Sequence, residues 1–189
     1  TVETDKEDGS DQADYMVATK AVELLRERKK AGKPFFLGVG FIKPHTPFVA
    51  PKKYFELYPT EKIVVPTVAG GYLKTLPRPA AQSISRKKDQ FNLKDELARK
   101  AIQAYYASIT FADAQVGRIL AELSATGLEK NTIALFTSDH GFYFGEHGGL
   151  FGKMTYDKRP NGTLYAHGDA DARWSHSPLY EELVTLPLL

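Results

Sequence analysis

The sequence predicts an α/β fold, a parallel or mixed sheet flanked by helices. Two observations carry this. Helical apolar spacing appears twice, and each helical stretch is followed by a nearly continuous apolar run of strand length, "PFFLGVGF" at 34–41 and "NTIALF" at 131–136. Such runs suit strands covered on both faces, as in a parallel sheet. A polar cluster follows each run directly, "KPH" at 43–45 and "SDHG" at 138–141. In open parallel sheets, ligands bind beyond the carboxyl ends of the strands.

The elements read in order as follows. Residues 1–10 are polar and form a surface loop. From Asp11, which is placed to cap it, a helix carries Met16, Val17, Ala21, Leu24 and Leu25 on one face. It ends in "RKKAGKP", where basic residues suit the last turn, Gly32 closes it and Pro34 forbids continuation. After the first strand, Pro44, Pro47, Pro51 and Pro59 make an ordered loop with one short helix near "KKYFELY". Residues 60–92 read as an irregular surface excursion. A long helix over about 93–126 then places Leu97, Ala101, Ala104, Phe111, Val116 and Leu123 on one broad face and stops at Gly127.

The totals narrow the function. A chain of 189 residues with 42% hydrophobic and 25% charged residues builds one sizeable core. Its 25 basic and 23 acidic residues give no basic excess for nucleic acid. The longest apolar run is too short to span a bilayer. With no cysteine, thiolate chemistry is excluded. The opening residue is not Met and the closing "VTLPLL" reads as the start of a strand, so the chain is expected to be a segment of a longer protein.

Each polar cluster has two readings. Lys43 and His45 bracket a proline and can bind an oxyanion and deliver a proton to a leaving group. They can equally belong to a proline-rich surface loop. Asp139 and His140 can share a metal ion where the backbone bends at Gly141, or Asp139 can simply cap the next turn. His147 in "GEHGG" is a ligand, a substrate contact or a loop-packing residue, and Lys153 in "FGK" is ordinarily a surface lysine.

Taken together, "KPFFLGVGFIKPHTPFVAPKKYFELYP", "RKAIQAYYASITFADAQVGRILAEL", "NTIALFTSDHGFYFGEHGGLFGKMT" and "LYEELVTLPLL" resemble the sulfatase family of the alkaline-phosphatase-like superfamily. The pattern is similar to its iduronate-2-sulfatase and choline-sulfatase-like branch. The resemblance implies an alkaline-phosphatase-like fold and a sulfuric-ester hydrolase. It makes Asp139 and His140 ligands of a divalent cation, usually calcium, although a carboxylate beside an imidazole points by its own chemistry to a softer metal. It makes His45 the group that contacts the sulfate ester and protonates the departing oxygen, and Lys153 a sulfate-binding catalytic lysine. Lys43 and His147 become substrate contacts. The implied substrate is a sulfated sugar or a small alcohol sulfate, and the implied location is exported or lysosomal.

Two departures stand out. The formylglycine nucleophile of such enzymes comes from a Cys/Ser-x-Pro-Ser-Arg motif, which this chain lacks. The expectation is therefore residues 1–189 as part of a single catalytic domain, with the nucleophile and further metal ligands upstream and no activity alone. The second departure is an insertion at about 156–177, "YDKRPNGTLYAHGDADARWSHSP", where Arg159, His167, Arg173, Trp174 and His176 are candidate substrate contacts and "NGT" fits a glycosylation acceptor. Two rival expectations are a phosphodiesterase or phosphonate monoester hydrolase of the same superfamily, and a non-catalytic remnant that binds sulfated glycans.

Overall fold

A computed structural model describes residues 2–4, 6–85 and 90–152. In chain order the elements are β1 (Val2–Glu3), α1 (Ala13–Ala31), β2 (Val49–Ala50), α2 (Lys52–Phe55), α3 (Tyr72–Thr75), α4 (Arg78–Ser85), α5 (Asp95–Ala125), β3 (Tyr143–Phe144) and β4 (Phe151–Gly152). Short 3-10 turns cover Thr60–Lys62 and Leu128–Asn131. The chain divides into two compact units, one of residues 1–63 with 99–134, the other of residues 64–98 with 135–189.

In the first unit, α1 ends as its sequence requires. Arg28, Lys29 and Lys30 occupy the last turn, and Gly32 adopts the left-handed conformation while its N–H donates to Arg28 O. The start differs from expectation. Gln12, not Asp11, holds the N-cap position and no side chain caps the helix. The Asp11 carboxylate is drawn aside by the Gln12 amide, which donates to Oδ2 at 3.0 Å.

Ala18, Ala21 and Leu25 of α1 are buried, as are Ala104, Ala107 and Phe111 of α5. Around Phe111, Ala50 and Ala107 pack Tyr15, Tyr54 and Phe55. Arg118 of α5 lies over the Tyr15 ring, 4.1 Å from its centroid, and donates to Thr19 Oγ1 at 2.7 Å. A forked pair from Arg26 to Glu122, at 2.9 and 2.7 Å, ties the same helices farther along. Residues β1 and β2 pair in parallel, Val2 with Val49 and Glu3 with Ala50.

In the second unit, Ile84, Tyr143 and Leu150 form a core against Leu73, Leu76 and Phe91. Strands β3 and β4 pair antiparallel, Tyr143 with Gly152 and Phe144 with Phe151. Residues 60–92 are more regular than expected, since α3 and α4 lie within them. Pro79 falls in the first turn of α4, where a missing N–H leaves no intrahelical bond unmade.

The expected strands at 34–41 and 131–136 do not appear as paired strands, and a parallel sheet built on them is not shown. Residues 34–42 belong to no helix or paired strand, yet Phe35, Leu37, Val39 and Phe41 are half-buried and the alternating positions exposed, the period-two pattern of an extended chain. Phe36 is 97% exposed and Ile133 94%, so no described residue covers the second face that the apolar runs were read to have.

Candidate functional site

The "KPH" cluster sits in the first unit, where the extended run 34–42 turns. The turn is closed by the His45 N–H, which donates to Ile42 O at 2.9 Å, and the Lys43–Pro44 and Thr46–Pro47 bonds are cis. A buried carboxylate holds its start. Asp14, on the first turn of α1 and 1% exposed, accepts from the Ile42 N–H at 2.8 Å and the Lys43 N–H at 2.9 Å.

His45 is exposed, and its Nδ1 lies 2.6 Å from Thr46 O. A carbonyl oxygen only accepts, so Nδ1 carries a proton and Nε2 is the nitrogen that gains or gives one. The Lys43 ammonium donates to Pro47 O at 2.9 Å. Burial pulls it below the ordinary lysine range, and the charge of Asp14 opposes that shift.

The "SDHG" cluster belongs to the second unit. Asp139 Oδ1 accepts the His140 N–H at 2.9 Å, a contact with the adjacent residue rather than the N–H two or three positions on that a turn cap would take. Its other oxygen, Oδ2, lies 3.5 Å from His140 Nε2. The ring's remaining nitrogen, Nδ1, is 2.9 Å from Gly141 O and must be the donor there. In the neutral ring, Nε2 is therefore the acceptor nitrogen, and it lies 3.5 Å from a carboxylate that is 86% exposed and open to water; a shared cation is one group that this spacing accommodates. Ligands about 2.4 Å from one ion, the range of calcium–oxygen bonds, stand at comparable separations. The pair thus fits two ligands of one cation. Among the described residues, no group of three or more His, Asp or Glu comes close enough to hold a metal.

Beyond the cluster, the chain enters the β3–β4 hairpin. Gly148 there has φ +69°, and a Cβ on it would lie 2.6 Å from Leu73 Cδ2. Only glycine fits both constraints. His147 is half-buried on an aromatic floor, its Nδ1 3.0 Å from Tyr72 Oη and its ring edge-on to Tyr143 at 5.5 Å. These contacts are packing contacts within the loop, and nothing in them selects among the three roles the sequence leaves open. Lys153, the insertion at about 156–177 and the "LYEEL" segment lie outside the described residues.

Asp14 is the site residue that sequence reading missed. The signal was present, since positions 14, 18, 21 and 25 share the buried stripe of α1 and one of them is a carboxylate. Buried carboxylates need partners, which points to a nearby backbone.

The family model described as "Sulfatase" matches residues 2–184. Human "Iduronate 2-sulfatase" is 37% identical over 146 residues, covering 71% of this chain and 26% of the relative. "Choline-sulfatase" of Rhizobium meliloti is 32% identical over 156 residues, covering 81% of this chain and 30% of the relative. The chain thus spans between a quarter and a third of the length of these relatives. Among solved structures, the phosphonate monoester hydrolase of Silicibacter pomeroyi superimposes with a TM-score of 0.68 at 24% identity, covering 95% of this chain and 32% of that one. That likeness gives the fold. The match across nearly the whole chain gives the lineage: this protein belongs to the sulfatase family.

Proposed function

We propose that this chain is a segment of the catalytic domain of a sulfuric-ester hydrolase, contributing a sulfate-contacting turn and two ligands of a divalent cation. The observation that carries the reading is the Asp139–His140 pair, whose Oδ2 and Nε2 face one another at 3.5 Å with Nδ1 committed to Gly141 O. The cation, with calcium the choice that family membership favours, supplies positive charge to the sulfuryl group when bound, and a formylglycine from outside this chain supplies the nucleophile.

The chain's own residues do the following. Asp139 and His140 hold the cation. Lys43 and Lys153 lend charge to the sulfate oxygens. His45 carries a proton on Nε2 in its imidazolium form and passes it to the bridging oxygen as the alcohol departs. His147 braces the hairpin and contacts substrate if its ring edge reaches the sulfate. The substrate we favour is a sulfated sugar or a small alcohol sulfate, as in the named relatives.

The test is sulfate release by the full-length protein that carries this segment, with calcium present, before and after Asp139→Ala. Release that is lost in the variant and not restored by excess calcium supports the assignment. A second reading is a phosphonate or phosphate ester hydrolase, favoured by the superposition on the phosphonate monoester hydrolase. Faster turnover of a phosphonate monoester than of any sulfate ester would select it.

A further inference from the structure

We propose that Asp14 is a positioning residue for the His45 turn, fixing where the histidine's Nε2 is presented without touching substrate. This rests on the role given to His45 above.

Three observations support it. Asp14 is almost wholly buried, and a carboxylate removed from water is stable only when its lone pairs are satisfied. Its two oxygens are satisfied separately, Oδ1 by the Ile42 N–H and Oδ2 by the Lys43 N–H. These are charge-assisted bonds, the shorter and stronger kind. They grip the two residues at which the extended run ends and the turn begins. Within that turn, the His45 N–H bonds back to Ile42 O, so the carboxylate, Ile42 and the His45 backbone form one connected chain of bonds.

The anchor is also rigid. Asp14 lies on the first turn of α1, whose N-terminal dipole favours a negative charge. One and five residues on, the Tyr15 carbonyl and the Thr19 hydroxyl accept from Arg118 of α5, which fixes this end of the helix. The turn is therefore hung from a packed helix rather than from the surface loop around it. His45 is exposed and, among the described residues, its side chain bonds only the adjacent Thr46 carbonyl, so the backbone is what sets its location. A displacement of about 1 Å in a catalytic group lowers rates by as much as a hundredfold.

The experiment uses the full-length, formylglycine-bearing enzyme with Asp14→Asn and His45→Ala, each assayed on two sulfate esters. One releases a weakly acidic alcohol, whose oxygen must be protonated to depart; the other releases an acidic nitrophenol, which departs unaided. Asp14→Asn keeps the shape but offers one acceptor for two N–H donors. Expected is a loss in kcat of about ten- to a hundredfold on the alcohol ester, with KM within about twofold and a clearly smaller loss on the nitrophenyl ester.

His45→Ala should show the same leaving-group dependence, more strongly. Equal losses on both esters for Asp14→Asn, or none, with the dependence intact in His45→Ala, would overturn the positioning role and leave His45 standing. Absence of the dependence in His45→Ala would instead remove the role of His45 and that of Asp14 with it. Should Asp14→Asn not fold, amide hydrogen exchange of the unsubstituted enzyme decides: protection at Ile42 and Lys43 supports the anchor, and exchange at open-chain rates overturns it.

Discussion

At the scale of the residue, the two histidines of the clusters are defined by which nitrogen is already spoken for. In His45 and His140 alike, Nδ1 lies within hydrogen-bonding distance of a neighbouring backbone carbonyl, so the proposed chemistry of each falls to Nε2. His45→Ala should therefore lower turnover of the full-length enzyme by about a hundredfold or more while shifting unfolding free energy by no more than about 0.5 kcal/mol, because the ring is exposed. Denaturant unfolding beside steady-state kinetics separates the two. The glycines are the opposite case, residues whose contribution is steric. Gly148→Ala meets both a left-handed backbone and the Leu73 side chain, and should destabilise the chain by about 1–3 kcal/mol in the same unfolding measurement.

The sequence made some of these residues legible and hid others. Asp139, His140 and His45 stand out because polar groups directly follow apolar runs. Asp14 hides because its partners are 28 and 29 positions away and are backbone amides, which carry no residue-type signal. The floor under His147 hides for a similar reason, since Tyr72 lies 75 positions earlier.

At the scale of the element, long periodic helices were read well and short ones poorly. Helices α1 and α5 announce themselves through apolar spacing and glycine stops, and their observed ends fall within a few residues of those expected. Helices α3 and α4 sit among Gly71, Pro77 and Pro79, which read as breakers although each tolerates a helix start nearby. The apolar runs 34–41 and 131–136 declare extended structure, but pairing is a property of neighbours and cannot be read from one run alone.

The α1–α5 contact makes a pH prediction. The Arg26 guanidinium, through its hydrogen bonds, holds the Glu122 carboxyl below its ordinary value, and Glu122 raises Arg26 in turn. A depressed carboxyl stabilises the fold above its unfolded-state pKa and loses that contribution as pH falls through the folded value. Both groups are surface groups, so the effect is small and weakens in salt. Thermal midpoints of the chain and of Glu122→Gln should differ near neutrality and converge in acid, with the unsubstituted chain the more stable at neutral pH. A gap that widens on acidification would contradict the pairing.

At the scale of the whole molecule, the two polar clusters fall in different compact units, the turn proposed as general acid in one and the pair proposed as cation ligands in the other. The sequence has no cysteine and no Cys/Ser-x-Pro-Ser-Arg motif. The chain belongs to the sulfatase family and spans about a quarter to a third of the length of the relatives it matches. Lineage was more legible than architecture. Four long segments in the family's order identify it even where the sheet they adjoin is not seen, because that order along the chain is itself a specific signal.

The central claim is that Asp139, His140 and His45 belong to a calcium-dependent sulfuric-ester hydrolase. Sulfate release from a panel of aryl and sugar sulfates by the full-length, formylglycine-bearing protein tests it most directly. The account predicts turnover that calcium supports, that a chelator removes and calcium restores, that Asp139→Ala abolishes, and that His45→Ala lowers most strongly on the sugar sulfates, whose leaving oxygen must be protonated. No sulfate release from any member of the panel with calcium present, or release indifferent to both substitutions, would contradict it.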